Sequence, residues 1–140
     1  MHRNLKLENI YVDQSLNIKL FDFGYASHSN ATRLSSTRGT VPYMAPEIIS
    51  RLVYDGRKSD VFSVGVILFI MMQGIFPFTA ASPGDQYFNC LINKDYEKYW
   101  GGLNCSHTSV DLKHLLQGML SLDPSDRPSL NELKQSIWIN

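Results

Sequence analysis

A chain of 140 residues, 44% hydrophobic and 19% charged, is long enough for one domain with a real core and too apolar for a disordered one. Thirteen basic and thirteen acidic residues leave no net charge, which argues against nucleic acid or an anionic membrane surface as a partner. The longest apolar run, Val61 to Met72, carries Ser63 and Gly65 and is too short to span a bilayer, so it reads as a buried core helix. Cys90 and Cys105 read as free thiols. No targeting segment precedes the first motif, so a cytoplasmic or nuclear protein is expected, and the sequons Asn30-Ala31-Thr32 and Asn104-Cys105-Ser106 read as chance matches.

In chain order, Ile10-Tyr11-Val12 and Asn17-Ile18-Lys19-Leu20-Phe21 are short apolar runs of strand formers separated by the turn-like Asp13-Gln14-Ser15. They predict a hairpin that brings Asn9 back beside Asp22. An amide and a carboxylate oxygen so placed suit Mg²⁺, and Lys6 adds a cation where phosphate charge is neutralised. Residues 25–44, rich in Ser, Thr, Asn and Gly, read as an exposed, mobile loop. A short helix is expected from Glu47 to about Val53, stopped near Asp55-Gly56. The next helix, from about Lys58, is apolar all round, which implies burial on every side, and Ser59-Asp60 can serve as its cap. Gly74-Ile75-Phe76-Pro77-Phe78 reads as a turn, and Ser82-Pro83-Gly84-Asp85 opens a helix capped by Ser82. Lys94 to Trp100 is aromatic and charged without a basic patch, which discounts base stacking. Ser109 to Leu122 predicts an amphipathic helix with Leu112, Leu115, Leu116, Met119 and Leu120 on one face. Asp123-Pro124 stops it, and Ser129-Leu130-Asn131-Glu132 is a capping box that opens a last helix ending near Trp138.

Five segments in this order resemble the motifs of eukaryotic protein kinases. His2-Arg3-Asn4-Leu5-Lys6-Leu7-Glu8-Asn9 is similar to the catalytic loop H-R-D-L-x-x-x-N, and Asp22-Phe23-Gly24 is a complete D-F-G. Ala45-Pro46-Glu47 matches A-P-E, Lys58 to Leu68 resembles K-x-D-V-W-S-x-G-x-x-L with Phe62 for Trp, and Asp123 to Pro128 resembles D-P-x-x-R-P. Lys6 and Gly39-Thr40 favour the Ser/Thr branch, and the wording is closest to the calcium/calmodulin-dependent and AMP-activated group. The resemblance implies a mainly α fold, the large lobe of a kinase domain, with a small β-hairpin carrying the catalytic and metal loops. It divides the chain into a catalytic loop at 2–9, a metal motif at 22–24, an activation segment at 22–47 and a helical subdomain at 48–140. It implies ATP and Mg²⁺ as cofactors, with Asn9 and Asp22 as metal ligands, Lys6 on the phosphates and Thr40 beside the catalytic residues. Ser36, or Thr37 beside it, stands where kinases carry their activation phosphate, and Arg3 is the residue that pairs with it. Asp60 is expected to accept backbone N–H groups of the catalytic loop, and Glu47 to form a buried ion pair with Arg127.

Two departures bear on activity. Asn4 occupies the position of the catalytic Asp, and an amide is no useful base, a loss of about 10²–10⁴-fold. No G-x-G-x-x-G and no V-A-I-K lysine occurs in the sequence, so the small lobe is expected to be absent, with weak nucleotide binding and a partly uncovered core helix. The expected reaction is ATP-dependent phosphoryl transfer to protein Ser/Thr, weak or absent in this chain alone. The alternative is a pseudokinase that works as a protein-binding module, its partner a protein substrate, another kinase or a regulator. A degenerate product without stable function is the third reading.

Overall fold

The computed structural model describes residues 1–28, 34–105 and 107–140. The Asn30-Ala31-Thr32 sequon, Ser106 of the second sequon and part of the expected activation segment lie outside the described residues. Strand β1 (Ile10–Val12) pairs antiparallel with β2 (Ile18–Leu20) in the register Ile10↔Leu20, Tyr11↔Lys19 and Val12↔Ile18. Asp13 closes the turn, its Oδ1 accepting the N–H groups of Ser15 and Asn17, both at 2.9 Å. A lone two-stranded ribbon is marginal in water. This one is anchored at its base, where the Phe21 N–H donates to the Asn9 carbonyl at 2.9 Å.

The rest is helical: α1 (Pro46–Ile49), α2 (Gly56–Gln73), α3 (Gln86–Ile92), α4 (Tyr96–Gly102), α5 (Val110–Met119) and α6 (Leu130–Lys134). The mainly α class with one small hairpin is therefore as expected, and the differences lie at helix ends. Helix α1 stops at Ile49 because Arg51 turns left-handed (φ 57°) and Tyr54 exchanges two backbone hydrogen bonds with Leu34. Helix α2 starts at Gly56, capped by Asp55, whose carboxylate accepts the Arg57 N–H at 2.8 Å. Ser59 and Asp60 therefore lie inside α2, and the capping alternative for them is wrong. Asp85, not Ser82, caps α3: its Oδ1 accepts from both Tyr87 and Phe88 at 3.0 Å while Oδ2 takes the Thr79 N–H. Helix α4, which the aromatic pattern left undefined, is capped by Asp95 and buries Tyr99 and Trp100. The capping box of α6 forms, but the helix ends at Lys134, where Gln135 and Ser136 tighten into i→i+3 turns.

Helix α2 is the axis of the core. Phe62, Val66 and Ile67 pack with Tyr43, Ile48, Phe78, Phe88 and Leu120, and Phe69 stacks on Trp100 above Leu112 and Leu116 of α5. A Cβ at Gly65 would come within 2.9 Å of the Met119 Cβ, so glycine here lets α2 and α5 touch. The helix is partly uncovered, as expected. Val64, Met71 and Met72 remain 39%, 62% and 45% exposed, and a groove of about 650 Å³ lined by Leu5, Leu20, Val61, Val64, Leu130 and Leu133 runs along this side. Among the described residues, no helix is long and apolar enough to cross a membrane.

The buried ion pair closes the fold. Arg127, 1% exposed, reaches both Glu47 oxygens from Nη1 and Nη2 at 2.8 and 2.7 Å. Its remaining N–H groups donate to the carbonyls of Ser121 (2.9 Å), Lys58 (3.1 Å) and Leu122 (3.3 Å), and its Cζ lies 4.9 Å from the Phe62 ring centre. Arg127→Ala strands the Glu47 carboxylate and is expected to lower the unfolding free energy by about 3–5 kcal/mol. Urea titration checks this, and the double variant Arg127→Met/Glu47→Leu should lose less than Arg127→Ala alone, because no buried charge is left without a partner.

Candidate active site

The site is built on the first nine residues and held from below by α2. The His2 and Arg3 backbone N–H groups donate to the two oxygens of Asp60, Oδ2 at 2.7 Å and Oδ1 at 2.8 Å. Such a clamp suits a carboxylate, which has acceptors only. Removal from water raises the Asp60 pKa, and the two N–H groups offset that only in part. Arg3 is left-handed at φ 69°, a conformation costly for a side chain bearing a Cβ and one that the clamp sustains.

The buried His2 ring ties this loop to the hairpin. Its Nδ1 accepts the Asn4 N–H at 3.3 Å, which leaves Nε2 to carry the proton donated to the Phe21 carbonyl at 2.8 Å. Asn9, also buried, donates its side-chain amide to the Asn4 carbonyl at 3.0 Å, while its own carbonyl takes the Phe21 N–H. Residue 22 follows directly and is itself left-handed at φ 60°. The chain thus brings Asn4, Asn9 and Asp22 into one cluster.

Asn4 sits at its centre. Its Nδ2 donates to Asp22 Oδ2 at 3.2 Å, and its Oδ1 accepts the Thr40 hydroxyl at 3.3 Å. Because a carboxylate only accepts, the amide end turned toward Asp22 has to be the nitrogen. Thr40 reaches Asn4 because Gly39, at φ 128°, turns the chain where an added Cβ would lie 3.3 Å from the Arg3 carbonyl.

The donor set fits Mg²⁺ bound through few protein ligands. The Asn9 amide nitrogen is spent on Asn4, which leaves its oxygen as the ligand atom, and Asp22 supplies one carboxylate. A Cβ at Gly24 would stand 3.3 Å from Asp22 Oδ1, so glycine keeps the approach to that oxygen open. One carboxylate plus an amide oxygen is the set that Mg²⁺ completes with water and phosphate oxygens. Lys6 is half-buried at the mouth of the 3₁₀ turn Leu7–Asn9, with no side-chain partner among the described residues.

The expected regulatory residues are brought together only in part. An Arg3 Nη2 donates to the Ser36 hydroxyl, and the buried Arg3 Nε has no partner among the described residues. Thr37 is exposed and stands apart from this contact. Glu47 and Arg127 lie in the core below the cluster. Sequence reasoning missed the His2 brace and the Tyr43–Glu8 contact, a 3.3 Å hydrogen bond in which burial, and then the Glu8 charge, raises the Tyr43 pKa. A histidine two residues before Asn4 was the available signal for the first; nothing in the sequence pointed to the second.

The family model for the protein kinase domain matches residues 1–139. CBL-interacting protein kinase 11 and CBL-interacting protein kinase 26, both of Oryza sativa subsp. japonica, are each 38% identical over 142 residues, covering 98% of this chain and 27% of theirs. Serine/threonine-protein kinase SAPK3 of Oryza sativa subsp. indica is 38% identical over 141 residues, covering 98% of this chain and 42% of its own. The chain thus spans less than half the length of these relatives. On the match to the family model and on these identities, the chain belongs to the eukaryotic protein kinase family, in its Ser/Thr branch.

Proposed function

We propose that residues 1–140 form the large lobe of a Ser/Thr protein kinase domain that transfers the terminal phosphoryl group of ATP to protein hydroxyls at a much reduced rate. The observation that carries this reading is the cluster in which Asn4, Asn9, Asp22 and Thr40 meet through side-chain hydrogen bonds. In it Asn9 and Asp22 hold Mg²⁺, and Lys6 neutralises phosphate charge. The metal, when bound, supplies the positive charge that phosphoryl transfer needs on the phosphate oxygens. Thr40 orients the Asn4 side chain, and Asp60 positions the loop that carries it. The Asn4 amide takes no proton, so the attacking hydroxyl lacks a base. A cytoplasmic or nuclear setting, where buried Cys90 and Cys105 stay reduced, fits this reading.

The second reading, a pseudokinase that binds proteins, draws on one observation: both ends of the Asn4 amide are already engaged, at Asp22 and Thr40. Two of the relatives are named for interaction with CBL, so a regulatory protein is the partner class proposed, beside a protein substrate. Asn4→Asp separates the two readings. With ATP binding established, phosphoryl transfer to a generic Ser/Thr peptide should rise at least about tenfold, within the worth of a general base. No gain would favour the binding module.

Ser36 is proposed as the phosphorylated residue, because its hydroxyl already meets the Arg3 guanidinium. Ser36→Ala should abolish most phosphate incorporation by an upstream kinase, while Thr37→Ala should leave it nearly intact; equal incorporation into both variants would sink the assignment. Asp60→Asn, which keeps one acceptor oxygen of two, should destabilise the protein by about 1–3 kcal/mol. Since burial raises the Asp60 pKa, the folded state binds its proton more tightly than the unfolded state does. The stabilising advantage of Asp60 over Asn is therefore largest in acid and shrinks as pH rises from about 3.8 through the raised value. Chemical denaturation of both proteins across that range checks the slope.

A further inference from the structure

We propose that Asn4 is a positioning residue that holds the Asp22 carboxylate in place without a cation. Three observations lead there. The Asn4 amide points its nitrogen at Asp22 Oδ2, 3.2 Å away. Its oxygen is pinned by the Thr40 hydroxyl at 3.3 Å, so the amide cannot rotate away without losing both bonds. Asp22 is left-handed at φ 60°, which aims its side chain back at the loop, and among the described residues the Asn4 amide donates to its carboxylate end.

An Asp at position 4 would turn this contact into two carboxylate oxygens facing each other at hydrogen-bond distance. Two such oxygens repel and have no hydrogen to share, so the contact needs a cation between the groups to hold. With Asn4 the Asp22 carboxylate already has a hydrogen-bond donor on that side, and its geometry does not wait for a metal. An incoming Mg²⁺ must instead share or displace the Asn4 hydrogen bond to Asp22 Oδ2. Position 4 is therefore more than a missing base. It shifts the cluster from one assembled by the cation to one assembled by the chain itself.

The inference rests on the reading of Asn9 and Asp22 as the metal pair, and thermal unfolding of the purified protein tests the two separately. Wild type, Asn4→Asp and the swapped pair Asn4→Asp/Asp22→Asn are each melted in EDTA and in millimolar Mg²⁺ at neutral pH. Wild type should gain much less from Mg²⁺ than Asn4→Asp does, because its Asp22 is already held in EDTA. Asn4→Asp should melt about 3–6 °C lower in EDTA and recover in Mg²⁺, an interval set by the size of the chain. The swapped pair, which again sets one amide against one carboxylate, should match wild type in EDTA. If Asn4→Asp yields no folded protein in EDTA, the swapped pair alone decides, by folding or by failing to fold. An Asn4→Asp protein as stable as wild type in EDTA, or a swapped pair no better than Asn4→Asp, overturns the proposal. If the swap rescues and Mg²⁺ does not, the hold of Asn4 on Asp22 stands and the metal pairing falls.

Discussion

Everything in this structure hangs from the guanidinium of Arg127. All five of its N–H donors are satisfied, two by Glu47 and one each by the carbonyls of Lys58, Ser121 and Leu122. Those acceptors belong to α1, to the first turn of α2 and to the turn after α5, so one side chain fixes three segments that no sheet connects. Burying so much charge is not in itself stabilising, since the desolvation cost rivals the attraction. What it supplies is direction, because a planar fork with five fixed donors tolerates few arrangements of its partners. Phe62, lying under the same guanidinium, couples that geometry to the aromatic core.

From this anchor the order passes upward along α2. Asp60 lies one turn inside the helix and offers both oxygens to the loop at 2–3, so the loop takes its position from the helix rather than from its own sequence. The loop in turn sets the hairpin through His2 and Asn9, each of which contacts Phe21 next to Asp22. Arg3 and Asp22, at opposite ends of this relay, are both left-handed. Local strain of that kind persists where the surroundings over-determine the backbone, and here the surroundings are the hydrogen bonds of Asp60, His2 and Asn4.

How much of this was legible depended on whether a feature was local or relational. The hairpin, the capping box at Ser129 and the amphipathic face of α5 follow from short-range patterns, and each forms where the residues indicate. The pairing of Glu47 with Arg127 spans eighty positions, and only the resemblance to kinases named it. Helix starts were misread where two caps competed. Asp55 accepts the Arg57 N–H at the helix start, and Asp85 accepts two N–H groups of α3 and bridges to Thr79, so they prevailed over Ser59 and Ser82. The exposed flank of α2 was legible only in combination: the all-round apolar pattern marks a core helix, and the lack of small-lobe motifs in the sequence marks it as partly uncovered, while which residues lie on that flank shows only in the packing.

Asn4 shows the limit most clearly. In the sequence it registers only as a lost base, a subtraction from the chemistry of the family. In the structure the same residue gains a donor that Asp lacks, and that donor is aimed at the one carboxylate of the cluster. Charge bookkeeping explains the exchange: an anionic pair has to be relieved by something positive, and an amide hydrogen bound to a carboxylate provides part of that relief without an ion. The amide that cannot serve as a base therefore steadies the resting site through its hydrogen bond to Asp22.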